Sequence, residues 1–391
     1  MTSAPESDFY SLELLLEPAG RELLQRVRAF MHKEIEPVIN DYWTREEFPF
    51  HLIPAIADLD IVGLAYSGYG CPGQGSLLSG MVSMEIARVD SSIATFVGVH
   101  SGLAMGSIYL FGSQEQKERW LPAMARMEKI GAFGLTEPDV GSGVARGLTT
   151  TARRDGDIWI LDGQKKWIGN ATFADYVIIW ARDLADDQVK GFVVEAGTPG
   201  FTAEKMHDKI ALRVVQNARI TLDGVRVPEA NRLAKANSFA DTAAVLRMTR
   251  AGVAWEAVGC ARGAYEHALA YAKEREQFGR PIASFQLVQD QLVKMLANVT
   301  AAECMCVRLS QLQEAGHAAD EHSALAKAFC TVKMRETVGL ARELLGGNGI
   351  LLENHVGRFV ADSEAIYSYE GTREINTLIV GRAITGIAAF V

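Results

Sequence analysis

The hydrophobic period changes twice along this 391-residue chain, and that change limits the fold more than any single motif. Phe285, Val288, Leu292, Met295, Val299, Ala302, Cys306 and Leu309 follow an unbroken three-four spacing. The pattern predicts a helix of about 25 residues with one apolar stripe, suited to a bundle with left-handed crossings. Ala324 to Leu345 predicts another long helix, ended by Gly346-Gly347-Asn348-Gly349. Upstream, Arg21 to Ile35, Ile53 to Leu64 and Ile86 to Leu110 also read helical, with Pro54 suited to a first helical turn. Between the helical parts the texture differs. Strand-like runs stand at Ile158 to Leu161, Tyr176 to Trp180, Gly191 to Val194 and Ala218 to Leu222, where Ala218, Ile220 and Leu222 alternate with polar residues. Asp-Gly pairs at 155-156, 162-163 and 223-224 suit tight turns. The expected class is α+β, mostly α. It comprises an N-terminal helical domain over 1–130, a central antiparallel β barrel or sandwich over 131–238, and a C-terminal helical bundle over 239–391.

Composition narrows the partners. Hydrophobic residues are 48% of the chain, enough for a large core. Lys plus Arg number 39 against 48 Asp plus Glu, and no dense basic run appears, which argues against a nucleic-acid partner. No uninterrupted apolar stretch reaches about 18 residues, so no membrane span is expected. The polar, acidic start Met1 to Asp8 resembles neither a signal peptide nor a basic transit peptide, and Ala388-Ala389-Phe390-Val391 is no peroxisomal tail. A cytoplasmic location is expected. Five scattered cysteines fit reduced thiols. Cys304 and Cys306 form a C-x-C pair, but Cys306 lies on the apolar stripe, so core packing is expected there and no metal site. Gly68 to Gly73 spells G-x-G-x-x-G. No clear strand precedes it and Pro72 sits inside it, so a glycine-rich turn between helices is the better account.

The chemistry concentrates near the end, in Tyr369-Glu370-Gly371-Thr372. A base that strips a weakly acidic C–H must be shielded from water yet closely approached. Glu370 is the candidate, with Gly371 leaving room for substrate. Four more motifs precede it in order: Phe133-Gly134-Leu135-Thr136-Glu137-Pro138 with Gly141-Ser142, Lys166-Trp167-Ile168-Gly169-Asn170, Arg275-Glu276-Gln277-Phe278-Gly279, and Leu344-Leu345-Gly346-Gly347-Asn348-Gly349. Taken singly, Trp167 reads as a core aromatic, Arg275 as a solvated helix face and Gly346-Gly347 as a helix cap. Taken in order, the set resembles the acyl-CoA dehydrogenase and acyl-CoA oxidase superfamily over nearly the whole chain.

The resemblance implies a fold ending in a four-helix bundle, FAD as cofactor and acyl-CoA as substrate. By that analogy Phe133, Leu135 and Thr136 border the flavin ring, and Trp167 lies against it with Ile168 and Gly169 alongside. Ser142 meets the pyrophosphate or the CoA side. Arg275, Phe278, Gln286, Glu343, Gly346 and Gly347 hold the adenosine and diphosphate across a subunit interface. Thr372 and Phe390 complete the cofactor contacts. Thr95, Ser142, Arg250 and Gly371 are the implied substrate contacts, while His100 nearby reads as a packed core histidine. The implied assembly is a homotetramer, a dimer of dimers. The acceptor is an electron-transferring flavoprotein or, in an oxidase, oxygen.

The nearest branch is that of glutaryl-CoA dehydrogenase and the plant short-chain acyl-CoA oxidases, on Ile375 to Ile379, Gly381 to Phe390 and Gly68 to Gly73. Trp167 to Asp175 and Leu212 to Asn217 lean toward the oxidase-like group. Glutaryl-CoA dehydrogenases carry an arginine for the distal carboxylate; here Ala94 occupies that position. A short apolar side chain leaves a buried carboxylate uncompensated. The expected substrate is therefore a short or medium unsubstituted acyl-CoA. Decarboxylating glutaryl-CoA dehydrogenase and a non-catalytic binding member of the superfamily are the further alternatives. Gly169 stands where many relatives have threonine, and Gly143 replaces a usual aspartate.

Overall fold

A computed structural model describes residues 7–389; Phe390 lies outside them. The N-terminal part packs α1 (Pro18–Phe30), α2 (Ser76–Val89), α3 (Ser91–Phe111) and α4 (Gln114–Ala125). Pro18 opens α1, where a missing N–H costs nothing. The Ile53 to Leu64 run is helical only over Ile53–Ala57, with Pro54 in its first turn as expected. The Ile86 to Leu110 run is two helices rather than one. Asp90 breaks it, with extended backbone and a side chain that accepts the Ile93 N–H at 2.8 Å. By length and composition α3 could cross a membrane, but 56% of its most apolar window is buried inside the protein. An eight-residue π-helical stretch, Gly98–Met105, lies within it.

The central sheet has seven strands: β1 (Gly131–Gly134), β2 (Thr151–Asp155), β3 (Ile158–Ile168), β4 (Tyr176–Asp183), β5 (Val189–Glu195), β6 (Phe201–Lys205) and β7 (Ala218–Pro228). Their order is β1-β4-β2-β3-β7-β6, with β5 also on β4. The expectation of a purely antiparallel sheet is corrected: β1 and β2 both run parallel to β4. Turn residues report local hairpins, and these parallel pairings are not local. Only Asp155-Gly156 is a hairpin turn. Asp162-Gly163 and Asp223-Gly224 lie inside facing strands and form a bulge, where the register slips by one and the Gly224 N–H donates to Asp162. Gly68 to Gly73 is a small hairpin with Ser67–Gly68 paired to Cys71–Pro72. Both faces of β4 are buried. Val177 and Ile179 join the sheet's own core, while Ile178 and Trp180 join the main helical core.

The C-terminal part packs α5 (Phe239–Glu274), α6 (Gln286–Glu314) and α7 (Asp320–Leu344) together, completed by α8 (Val356–Ser368) and α9 (Arg373–Thr385). The predicted stripe of α6 is its buried face from Leu292 to Leu309. Helix α2 crosses α5 at close range: a Cβ on Gly263 would stand 2.1 Å from the Arg88 carbonyl oxygen. Arg358, at the start of α8, binds Asp90 at 2.6 Å, and both side chains are almost fully buried. It also donates to the Val89 carbonyl at 3.0 Å. This pair fixes α8, and hence the segment after it, to the α2–α3 corner. Arg358→Met removes the buried cation that pairs with Asp90, and should lower unfolding free energy by about 3–5 kcal/mol in a urea titration.

Candidate active site

Helix α8 stops at Ser368 and α9 starts at Arg373, capped by Thr372, whose hydroxyl accepts the Ile375 N–H at 3.3 Å. Between them Glu370 and Gly371 both adopt left-handed backbone, with φ of 54° and 86°. Glycine accepts that conformation freely; for glutamate it costs on the order of 1–3 kcal/mol. The surroundings enforce it. Lys327, fully buried on α7, donates to the carbonyls of Tyr367 at 2.9 Å and Gly371 at 2.7 Å. Asn376 donates to those of Gly371 and Thr372 at 2.8 and 3.0 Å. Carbonyls on both sides of Glu370 are thereby clamped. Burial draws the Lys327 ammonium down to about 8, partly offset by Glu370.

The Glu370 residue keeps some accessible surface, but its carboxylate is densely surrounded. The Thr249 hydroxyl donates to it at 2.8 Å. Arg250, largely buried, places Nε 3.4 Å from the Glu370 carbonyl oxygen. Burial pushes the Glu370 carboxyl up, against the opposing pull of Thr249, Arg250 and Lys327. Tyr369 reaches the other way and donates to Glu256 at 2.5 Å. Glu256 is 5% exposed on α5. Burial pushes its carboxyl up to about 7; the Tyr369 bond lowers it and the Glu370 charge raises it.

The wall opposite is α3. Thr95, Gly98, Val99 and Gly102 keep accessible surface there, while Ala94, Phe96 and Val97 are buried. A Cβ on Gly102 would lie 3.3 Å from the Thr249 methyl, so the helix runs close over α5. His100 is the buried core histidine expected: Nδ1 accepts from the Gly131 N–H and Nε2 donates to the Met124 carbonyl, each at 2.9 Å.

Beside this cleft stand the residues at the sheet's rim. Phe133 and Leu135 are buried at the end of β1, and Thr136 follows with a hydroxyl that bonds no described residue. A buried ion pair supports them: Lys165 binds Glu137 at 3.0 Å and the Leu135 carbonyl at 3.0 Å. At the end of β3, Trp167 has φ of 68° and a half-exposed ring, with Ile168 and Gly169 buried behind it. Asn170 ties that corner to the carbonyls of Phe96 and Gly131. A Cβ on Gly169 would come 3.3 Å from Val99, so glycine suits this packing. Ser142 is exposed on the loop after β1.

The remaining residues cluster elsewhere. Arg275 ends α5, Phe278 follows at 93% exposure, Gln286 opens α6, and Glu343, Gly346 and Gly347 close α7. Asn348 donates to the Tyr271 hydroxyl at 2.7 Å, which holds these ends together. Along α7 and α5 they lie about 28 and 39 Å from Lys327 and Thr249. A single chain thus makes two groups, one around Glu370 and one at the far end of the bundle.

The sequence reading missed Thr249, Glu256, Lys327, Asn376 and the Lys165–Glu137 pair. Lys327 carried a signal, being a lone cation in Ala324-Leu325-Ala326-Lys327-Ala328-Phe329. Glu256 did too, in Val253-Ala254-Trp255-Glu256-Ala257-Val258.

The sequence families described as acyl-CoA dehydrogenase N-terminal, middle and C-terminal domains match residues 17–128, 132–225 and 239–385. The chain belongs to the acyl-CoA dehydrogenase family. An acyl-CoA dehydrogenase of Bacillus subtilis (strain 168) is 34% identical over 365 residues, 92% of this chain and 96% of that protein. Crystal structures of Mycobacterium smegmatis glutaryl-CoA dehydrogenase superpose over both full lengths. One has a TM-score of 0.95 at 40% identity; another, with FADH2, has 0.96 at 36%. Butyryl-CoA dehydrogenase from Megasphaera elsdenii gives 0.91 at 29% identity, over 94% of this acyl-CoA dehydrogenase and 98% of that chain.

Glu256 sets a pH test. Its folded value lies above the usual 4.5, so the protonated form favours folding, and that contribution is lost as pH rises through about 7. Glu256→Gln keeps an acceptor for Tyr369 and removes the ionisation. The variant's stability relative to wild type should rise from about pH 5 to about pH 8, by up to about 3 kcal/mol in urea titrations. A flat difference would contradict a raised carboxyl.

Proposed function

We propose that this acyl-CoA dehydrogenase oxidises a short- or medium-chain acyl-CoA to its trans-2-enoyl-CoA, with Glu370 as the base that removes the α-proton. The observation that carries this reading is the Glu370 turn itself. Its carboxyl is raised by burial, aimed by Thr249, and held on strained backbone by carbonyls clamped on both sides. Burial of this kind brings a carboxylate's proton affinity toward neutral pH, where a base works best. The Glu370 N–H bonds no described residue, so it is free to meet the thioester oxygen as charge develops there. Gly371 gives substrate a close approach to the backbone. Arg250 supplies a guanidinium beside the turn for the CoA portion, and Ser142 a hydroxyl at the rim.

The chain fits FAD. The apolar shelf of Phe133 and Leu135, the unbonded Thr136 hydroxyl and the half-exposed Trp167 ring suit a flat heterocycle with polar edges. Bound there, FAD supplies the acceptor for the β-hydride. Arg275, Phe278, Gln286, Glu343, Gly346 and Gly347 lie too far along the bundle to serve the same chain's site. They belong to a neighbouring subunit's cofactor in a homotetramer. Phe278 and Leu287, exposed at 93% and 82%, give that end apolar surface to bury. An electron-transferring flavoprotein is the proposed acceptor and the cytoplasm the proposed location. Oxygen as acceptor is separated by peroxide yield in air.

The likeness to the M. smegmatis enzyme favours a second reading, decarboxylating oxidation of glutaryl-CoA. Ala94 speaks against it, because it is buried and apolar and brings no cation to the acyl end. Carbon dioxide release from glutaryl-CoA decides between them.

Two outcomes are expected. The yellow holoenzyme should bleach anaerobically with butanoyl- or hexanoyl-CoA, and Glu370→Gln should stay yellow while bleaching at least about 100-fold more slowly; undiminished bleaching would refute the base. Arg275→Ala and Glu370→Gln place their defects in different subunits' contributions. Co-assembling these two weakened variants should restore about a quarter of wild-type activity through sites that receive neither change. A mixture no more active than its components would place each site within one chain.

A further inference from the structure

Two neighbouring residues of β3 hold two successive carbonyls at the rim of the proposed flavin site. The Lys166 N–H donates to the Thr136 carbonyl at 2.8 Å, and the Lys165 ammonium donates to the Leu135 carbonyl at 3.0 Å. The Lys165 stem passes Gly134 of β1, where a Cβ would lie 3.5 Å from Lys165 Cγ. Lys165 is fully buried, whereas Thr136 keeps some accessible surface. A buried charge thus stands one peptide behind the rim.

That peptide connects the charge to the site. The Leu135 carbonyl and the Thr136 N–H belong to one planar, conjugated amide. A cation on the oxygen draws electron density toward it and leaves the N–H a stronger donor. The Thr136 N–H bonds no described residue, so it is available to the polar edge of a bound ring. The other partner of Lys165 is Glu137, at 3.0 Å. Glu137 is well supplied without it, accepting the Thr149 N–H at 2.7 Å, the Thr149 hydroxyl at 2.5 Å and the Thr150 N–H at 2.8 Å. What Lys165 alone provides is the bond to Leu135. Burial draws its ammonium down to about 8, against the opposing pull of Glu137, the one charged group that faces it.

We propose that Lys165 is a positioning residue for the flavin that acts through the Leu135–Thr136 peptide, sharpening the Thr136 N–H as a donor and so making the bound flavin easier to reduce. Reduction adds electron density to the ring's polar edge, and a stronger donor there favours the reduced ring over the oxidised one. The inference rests on the FAD reading of this rim.

The test reads the midpoint potential of the FAD-loaded protein against a reference dye, without substrate. Lys165→Met should shift the dye equilibrium at least about tenfold toward oxidised flavin, a drop of about 30 mV for a two-electron couple. Lys165→Met/Glu137→Gln leaves no unpaired charge, and its potential should also lie below that of wild type. A single variant with the wild-type potential overturns the proposal. So does a double variant that recovers it, because the drop would then belong to the stranded carboxylate. The pH dependence of wild type needs no variant. A reduced ring favours the ammonium, so its proton affinity rises on reduction, and in the range where Lys165 titrates reduction takes up an extra proton. The wild-type potential should therefore fall more steeply with pH between about pH 8 and about pH 9 than just below that range. An unbroken slope through that interval overturns the proposal, and it decides alone if the variants do not fold. Protein that binds no FAD sinks the reading of the rim itself, whereas bound FAD with an unmoved potential sinks only the part given to Lys165.

Discussion

One buried ammonium organises the site. Among the described residues Lys327 has no carboxylate at hydrogen-bond distance; it donates to the carbonyls of Tyr367 and Gly371. Those two carbonyls bracket Glu370, so the strained turn is held from below by a charge that is itself costly to bury. Lys327 and Glu370 each feel the other's field, which favours the charged form of both against the burial that disfavours it. Burial raises the Glu370 carboxyl, and Lys327 is one of the groups that pull it back down. Its direction comes from Thr249 and its position from Lys327, two residues on different helices.

The turn is also connected to the rest of the molecule. Arg358 ties the start of α8 to Asp90, and Asp90 both ends α2 and caps α3. The helix that leads into Glu370 and the helix that walls the cleft are therefore anchored at one buried ion pair. On the sheet side, Lys165 and Glu137 play a comparable part under Thr136, and Asn170 links the Trp167 corner to both β1 and α3. The cleft lies where these three supports meet. Glycines at 98, 102 and 169 set how near its walls approach, because each faces a neighbour within 3.3 Å of where a Cβ would stand.

Much of the fold was legible in the sequence. The apolar stripe from Leu292 to Leu309 is buried as its spacing implied, and the four strand-like runs all lie in strands. The misreadings have physical causes. Asp-Gly is compatible with a turn or a bulge because both require unusual backbone, and only the facing strand distinguishes them at Asp162-Gly163. The apolar run through Ile86 and Leu110 looked continuous because Asp90 is one polar residue whose partner is 268 positions away. The parallel pairing of β1 with β4 had no local signature at all.

The sequence by itself determined the family, the order of helical and β parts, and the identity of the proposed base, since motif order and hydrophobic period are properties of the chain read end to end. It also brought Thr372 and Gly371 to Glu370, because they adjoin it. Only the tertiary structure decided what surrounds Glu370. Thr249, Glu256 and Lys327 are distant along the chain and individually ordinary. Their effect on a carboxyl group's proton affinity depends on distance and exclusion of water, which exist only once the helices have packed.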